Sequence, residues 1–113
     1  MSPALFEVLV YGIAFPRDAK NAQGESIEKL QRHPFLPTEH CMIVWDHSAH
    51  RSRYLLAIAD TVKAEITHAQ MEEREGHDVS DVPEWNERLK ETCKLLHLAF
   101  SEAGWQEYSF TRG

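Results

Sequence analysis

The chain opens on an almost unbroken apolar run, LFEVLVYGIAF over residues 5–15. In extended conformation Leu5, Glu7, Leu9, Tyr11, Ile13 and Phe15 project to one side. Phe6, Val8, Val10, Gly12 and Ala14 project to the other. Both sets are mostly apolar, so the pattern predicts an inner strand covered on both faces. Gly12 marks a bulge or a place where another backbone comes close, and Pro16 ends the run. Residues 17–25 read as loop. A short helix is predicted over Ser26–His33, with Ile27 and Leu30 facing inward. The two X-Pro steps at His33-Pro34 and Leu36-Pro37 then favour extended chain. HCMIVWD, from His40 to Asp46, predicts a second strand.

The next periodicity is helical. Leu55, Ile58, Ala59, Val62, Ile66 and Ala69 recur at i, i+3, i+4 and i+7 spacing. Ser48 is placed to cap such a helix and Gly76 to close it. A helix from Ala49 to Glu75 would be about 40 Å long at 1.5 Å per residue, more than a compact domain of this length needs. The competing reading makes Tyr54–Ala59 a strand hairpinned to Met42–Asp46, with Asp60 capping a shorter helix. The long helix is the preferred expectation, because Leu and Ala are good helix formers. A second helix is predicted from Pro83 to Ala103. Its stripe is Trp85, Leu89, Cys93, Leu96, Phe100 and Ala103, with Gly104 beyond it. Residues 105–111 alternate as a last strand, with Tyr108 and Phe110 on one face.

The expected architecture is therefore α+β: one domain over residues 1–113, built as a small sheet of three to four strands with two long amphipathic helices packed on one face. Length and composition agree. The chain has 113 residues, 42% hydrophobic and 27% charged, which are ordinary globular proportions. Ala4–Phe15 is too short to cross a membrane and is interrupted by Glu7. No Lys or Arg precedes it as in a signal peptide. A cytoplasmic location is the expectation, with Cys41 and Cys93 as free thiols.

Charge changes the picture because it is local. Glu65–Glu91 holds nine acids and three bases. That segment carries the whole net charge of −6, and the rest of the chain is neutral. Such a segment disfavours nucleic acid and suits a partner protein with a basic surface. Glu72, Glu73, Glu75, Asp78, Asp81, Glu84 and Trp85 are the expected partner-binding residues, tryptophan being enriched at contact hot spots. The alternative is a solvated acidic face.

Candidate chemistry is sparse. There is no phosphate-cradling glycine loop, no C-x-x-C, no H-E-x-x-H and no G-x-S-x-G. Seven histidines are many for this length. His40, Asp46, His47 and His50 gather imidazole and carboxylate within a short stretch, the last three at one strand end, and form the candidate site for a divalent transition metal. Glu65-x-x-His68, followed by Glu72, resembles half of a di-iron pattern but occurs once where two copies are needed. Cys93 and His97, at i and i+4, have the spacing of a nucleophile and its base, against the plainer reading of a core cysteine. Arg51 and Arg53, with His47 and His50, could hold one anion at a helix start.

Three functions follow as expectations. The first is a small acidic regulatory protein, an inhibitor, accessory or immunity-type factor, acting by protein–protein contact without catalysis. The second is a metal-binding protein or metal-dependent enzyme built on the histidine cluster. The third is a homodimer or larger assembly subunit paired through the long helix.

Overall fold

A computed structural model describes residues 5–32, 40–48, 50–73 and 81–111. The elements are β1 (Leu5–Pro16), α1 (Ile27–Gln31), β2 (Cys41–Asp46), β3 (Arg53–Ile58), α2 (Ala59–Ala64), α3 (His68–Glu73), α4 (Val82–Leu96) and β4 (Gly104–Thr111). The four strands form one antiparallel sheet in the order β2-β3-β1-β4. β3 is antiparallel to both β1 and β2, so these two run parallel with β3 between them. This is the connectivity of a split βαβ unit, with α2 and α3 added between β3 and α4. The α+β expectation holds, as do the inner position of β1 and the predicted strands β2 and β4.

One of the two long helices does not exist. Residues 53–58 form β3, which pairs with β2 from Cys41↔Ile58 to Asp46↔Arg53. This is the hairpin that the sequence offered as its competing reading. Tyr54 to Ile58 are all buried, as suits a strand covered on both faces. The 3.6-residue spacing was coincident with a continuous apolar run. Beyond it, Ile58 rather than Asp60 occupies the N-cap of α2. Glu65 then turns left-handed, at φ 50°, and ends that helix. A 40 Å helix is thus no basis for pairing two copies. α4 also stops early: His97 takes the left-handed C-cap position at φ 59°, and the Leu98 and His97 N–H groups bond back to Cys93 and Lys94 carbonyls in the manner of a helix-ending turn. Phe100 is consequently exposed instead of continuing the buried stripe.

The main core lies between the sheet and α1 and α4. It gathers Tyr11, Ile13, Ile43, Leu56 and Ile58 from the strands with Ile27, Leu30, Leu89, Cys93 and Leu96 from the helices. The opposite face has its own smaller core of Val8, Val10, Val44, Leu55 and Ala57. Val62 of α2 and the rings of Tyr108 and Phe110 pack against it.

Gly12 is the pivot of the sheet. It pairs with Ala57 on one side and Gly104 on the other. A Cβ there would run into the Leu56 carbonyl oxygen and sit 2.8 Å from the Ala57 Cα. The close approach read from the sequence is therefore real. N-terminal to Gly12, the edge of β1 that β3 does not reach is occupied differently. The Leu9 N–H donates to the Ile66 carbonyl at 2.8 Å, and the Tyr11 N–H to Thr61 Oγ1 at 3.0 Å.

Candidate functional site

The outer edge of β4 is closed by the β2–β3 hairpin. The His47 N–H donates to the Ser109 carbonyl at 2.8 Å. The Ser109 N–H donates back to Asp46 Oδ1 at 3.0 Å. Arg53 reaches the Glu107 carbonyl at 3.0 Å. An edge strand left with free N–H and C=O groups is a template for unwanted pairing, and this hairpin occupies it.

Asp46 is the hub of that closure. Its side chain is 0% exposed. It accepts from Arg51 Nε at 2.7 Å, Arg53 Nε at 3.3 Å, the Ser48 N–H at 3.2 Å and the Ser109 N–H at 3.0 Å. Burial pushes its pKa up. The bonds from Arg51, Ser109 and Ser48 and the Arg51 charge outweigh this and hold it below the ordinary carboxylate range. The same bond to Asp46 raises the pKa of Arg51, with the charges of Glu107 and Glu7 adding to it. Tyr108, half-buried nearby, is pushed up by burial and by the Asp46 charge.

Arg51 links this hub to a second group of charges on β1 and β4. Its NH1 donates to Glu107 Oε2 at 2.8 Å, its NH2 to Ser109 Oγ at 3.2 Å, and NH2 lies 3.9 Å from Glu7 Oε2. Glu7 and Glu107 stand on adjacent strands and turn their other oxygens toward His68 at the start of α3. His68 Nε2 is 2.9 Å from Glu107 Oε1 and 3.9 Å from Glu7 Oε1. The ligand atoms of Glu7, His68 and Glu107 all lie within 4.8 Å of one another.

The sequence-predicted metal cluster does not assemble in this way. Asp46 is saturated by the two arginines and two backbone N–H groups. His40 stands at the opposite end of β2, where six residues of extended chain span roughly 20 Å. It borders a hollow lined by Arg88, Glu91, Thr92 and Leu95. Among the described residues, the group whose ligand atoms converge is Glu7, His68 and Glu107. Glu65 and His68 do not share a helix, so the di-iron spacing is lost; His68 faces two strand carboxylates instead. The arginines read as an anion site are engaged with Asp46, Glu107 and Ser109. Comparison with family models, curated proteins and solved structures finds no match to this chain.

The cysteines read as core. Cys41 and Cys93 are both buried and unbridged. Burial, with Cys41 adding to it, pushes the Cys93 thiol up to about 11, the reverse of an activated nucleophile.

The expected partner-binding residues divide. Glu75 and Asp78 lie outside the described residues, and so does the side chain of Glu73. Glu72 is exposed on α3. Asp81 and Glu84 are exposed at the start of α4, where Glu84 pairs with Arg88 at 2.6 Å. Trp85 is half-buried and meets Trp105 edge-on, with ring centroids 5.8 Å apart. Tyr11 packs against both indoles and donates its hydroxyl to Asn86 Oδ1 at 2.7 Å. Trp105 is 37% exposed. A hollow is lined by Asn86, Glu87, Lys90, Phe100, Glu102 and Ala103. The sequence drew attention to Trp85 through its acidic neighbours. It carried no signal for Glu7 or Glu107, whose partners come from remote segments.

Proposed function

We propose that this chain is a non-catalytic binding module that contacts a partner protein with a basic surface. The contact face is the first half of α4 together with Trp105. The observation that carries this reading is Trp105 itself, a large indole partly exposed and braced edge-on by Trp85. The start of α4 carries exposed acids at Asp81, Glu84 and Glu87, and Glu102 is exposed three residues before Trp105. A rigid aromatic anchor with a charged rim is the usual make-up of a contact hot spot. The acids steer a basic partner toward the anchor, and their effect weakens as salt screens them.

The test is affinity capture with the wild-type chain as bait, and with Trp105→Ala and the double variant Glu84→Lys, Glu87→Lys. Circular dichroism checks that each variant is folded. The expected result is one stoichiometric basic partner. Its affinity falls roughly 30-fold in Trp105→Ala, as a hot-spot truncation of about 2 kcal/mol implies. The charge variant loses capture in proportion to salt sensitivity. Capture indifferent to both changes, or no specific partner at all, removes the reading.

A further inference from the structure

We infer that Glu7, His68 and Glu107 form a binding site for one divalent first-row transition ion of the zinc type, independent of the α4 surface. Three observations carry it. First, the three side chains come from three elements, β1, α3 and β4, and converge to within 4.8 Å between ligand atoms. A tetrahedral ion with bonds near 2.1 Å places its ligands about 3.4 Å apart. The His68–Glu107 and His68–Glu7 distances of 2.9 Å and 3.9 Å bracket that edge. Closing the site needs a rotation of Glu7, whose side chain is half-exposed.

Second, the four carboxylate oxygens are sorted. Oε1 of both glutamates faces the His68 imidazole. Oε2 of both faces the Arg51 guanidinium, at 2.8 Å for Glu107 and 3.9 Å for Glu7. Arg51 thus orients the carboxylates from behind, as outer partners of metal ligands do, and leaves the inner oxygens available. Arg51 is itself fixed by Asp46 at 2.7 Å.

Third, the charge suits a dication. With His68 neutral, Glu7, Glu107, Asp46, Arg51 and Arg53 together carry one net negative charge. One imidazole and two carboxylates form a mixed set that suits zinc, iron or manganese better than a purely hard ion. The three side chains are 49%, 53% and 42% exposed, so the remaining coordination positions face water, the arrangement of an open site. The competing account is a plain ion pair between protonated His68 and the glutamates.

The test is zinc titration by isothermal calorimetry on the full chain, with manganese as second probe. Variants are His68→Ala, Glu7→Gln, Glu107→Gln and, as control, His47→Ala with His50→Ala. The expected result is one equivalent of zinc. Affinity falls at least tenfold in each site variant and is unchanged in the control. Tm should rise about 10 °C when zinc exceeds Kd a hundredfold, and this rise should vanish in His68→Ala. Cobalt substitution reports coordination directly through its visible spectrum. No zinc or manganese binding tighter than millimolar, binding that survives His68→Ala, or binding lost only in the control variant each overturns the site and leaves the ion pair.

Discussion

Asp46→Asn is the sharpest test of how the sheet is closed. The substitution is nearly isosteric, so it changes charge and hydrogen bonding with little effect on packing. Asp46 receives four donors at 2.7–3.3 Å, two of them guanidinium N–H groups. Asparagine keeps one acceptor oxygen and turns an amide NH2 toward groups that are themselves donors. A hydrogen bond to a charged group contributes about 1.5–3 kcal/mol, and breaking a fully buried ion pair costs about 3–5 kcal/mol. Arg51 and Arg53 keep 23% and 20% of their side-chain surface exposed, so water offsets part of the loss. The expected cost is about 3 kcal/mol, a large fraction of the stability of a domain this size. It lowers Tm by about 12 °C.

Urea melts at neutral pH measure the cost, and repeating them in acid adds a second readout. The folded pKa of Asp46 is depressed. Its contribution is therefore complete above the unfolded aspartate value near 3.9 and is lost as pH falls through the lower folded value. The gap between wild type and Asp46→Asn should shrink only below about pH 4. A cost under 1 kcal/mol at neutral pH, or a gap that closes near pH 6, would falsify the closure argument.

Three further expectations concern other parts of the fold. Gly12→Ala should cost at least 3 kcal/mol in urea melts, or prevent folding, because its Cβ meets the β3 backbone instead of a movable side chain; wild-type-like stability would show that the β1–β3 spacing is wrong. His97→Gly should stabilise by roughly 0.5–1 kcal/mol, since His97 holds a left-handed C-cap where glycine carries no Cβ penalty; a loss above 1 kcal/mol would mean that the imidazole has a structural role. Both thiols should resist iodoacetamide in the native state up to pH 9 and react on unfolding, Cys93 being buried with its pKa pushed up to about 11; fast native labelling would refute the core assignment.

Most of the fold was legible where one periodicity dominated. β1, α1, β2 and β4 lie within a few residues of their predicted spans, because β-branched and aromatic composition with bounding Pro, Ser or Gly favours one interpretation there. Residues 54–59 did not have that property. Tyr-Leu-Leu-Ala-Ile-Ala is apolar at every position, so it fits a helix stripe and a doubly covered strand equally well. Pairing with β2 decides between them, and pairing is a long-range property. The end of α4 failed for a different reason. Nothing local marks His97 as left-handed, since the conformation is rewarded by tertiary contacts: its carbonyl accepts from the Ala22 N–H, and Asn21 Nδ2 donates to the Leu96 carbonyl at 2.7 Å.

The same distinction explains the site. A cluster such as His40, Asp46, His47 and His50 is conspicuous because its members are close in sequence, yet a strand separates its ends and turns alternate side chains apart. Glu7, His68 and Glu107 are 61 and 39 residues apart and look like ordinary surface charges in isolation. Strand parity did place Glu7 on the same face as Leu9, and β4 sets Glu107 opposite Leu9 in register. What brings His68 to them is the Leu9–Ile66 backbone bond, which anchors the chain two residues before the imidazole. Glu65 turns left-handed just ahead of that bond and lets α3 start beside the sheet. Moving that anchor should therefore disturb the triad before it disturbs the core. Glu65→Pro, which cannot adopt positive φ, is expected to abolish zinc binding with a smaller loss of stability than Gly12→Ala. If zinc affinity is unchanged in a folded Glu65→Pro protein, α3 does not deliver His68 to the glutamates.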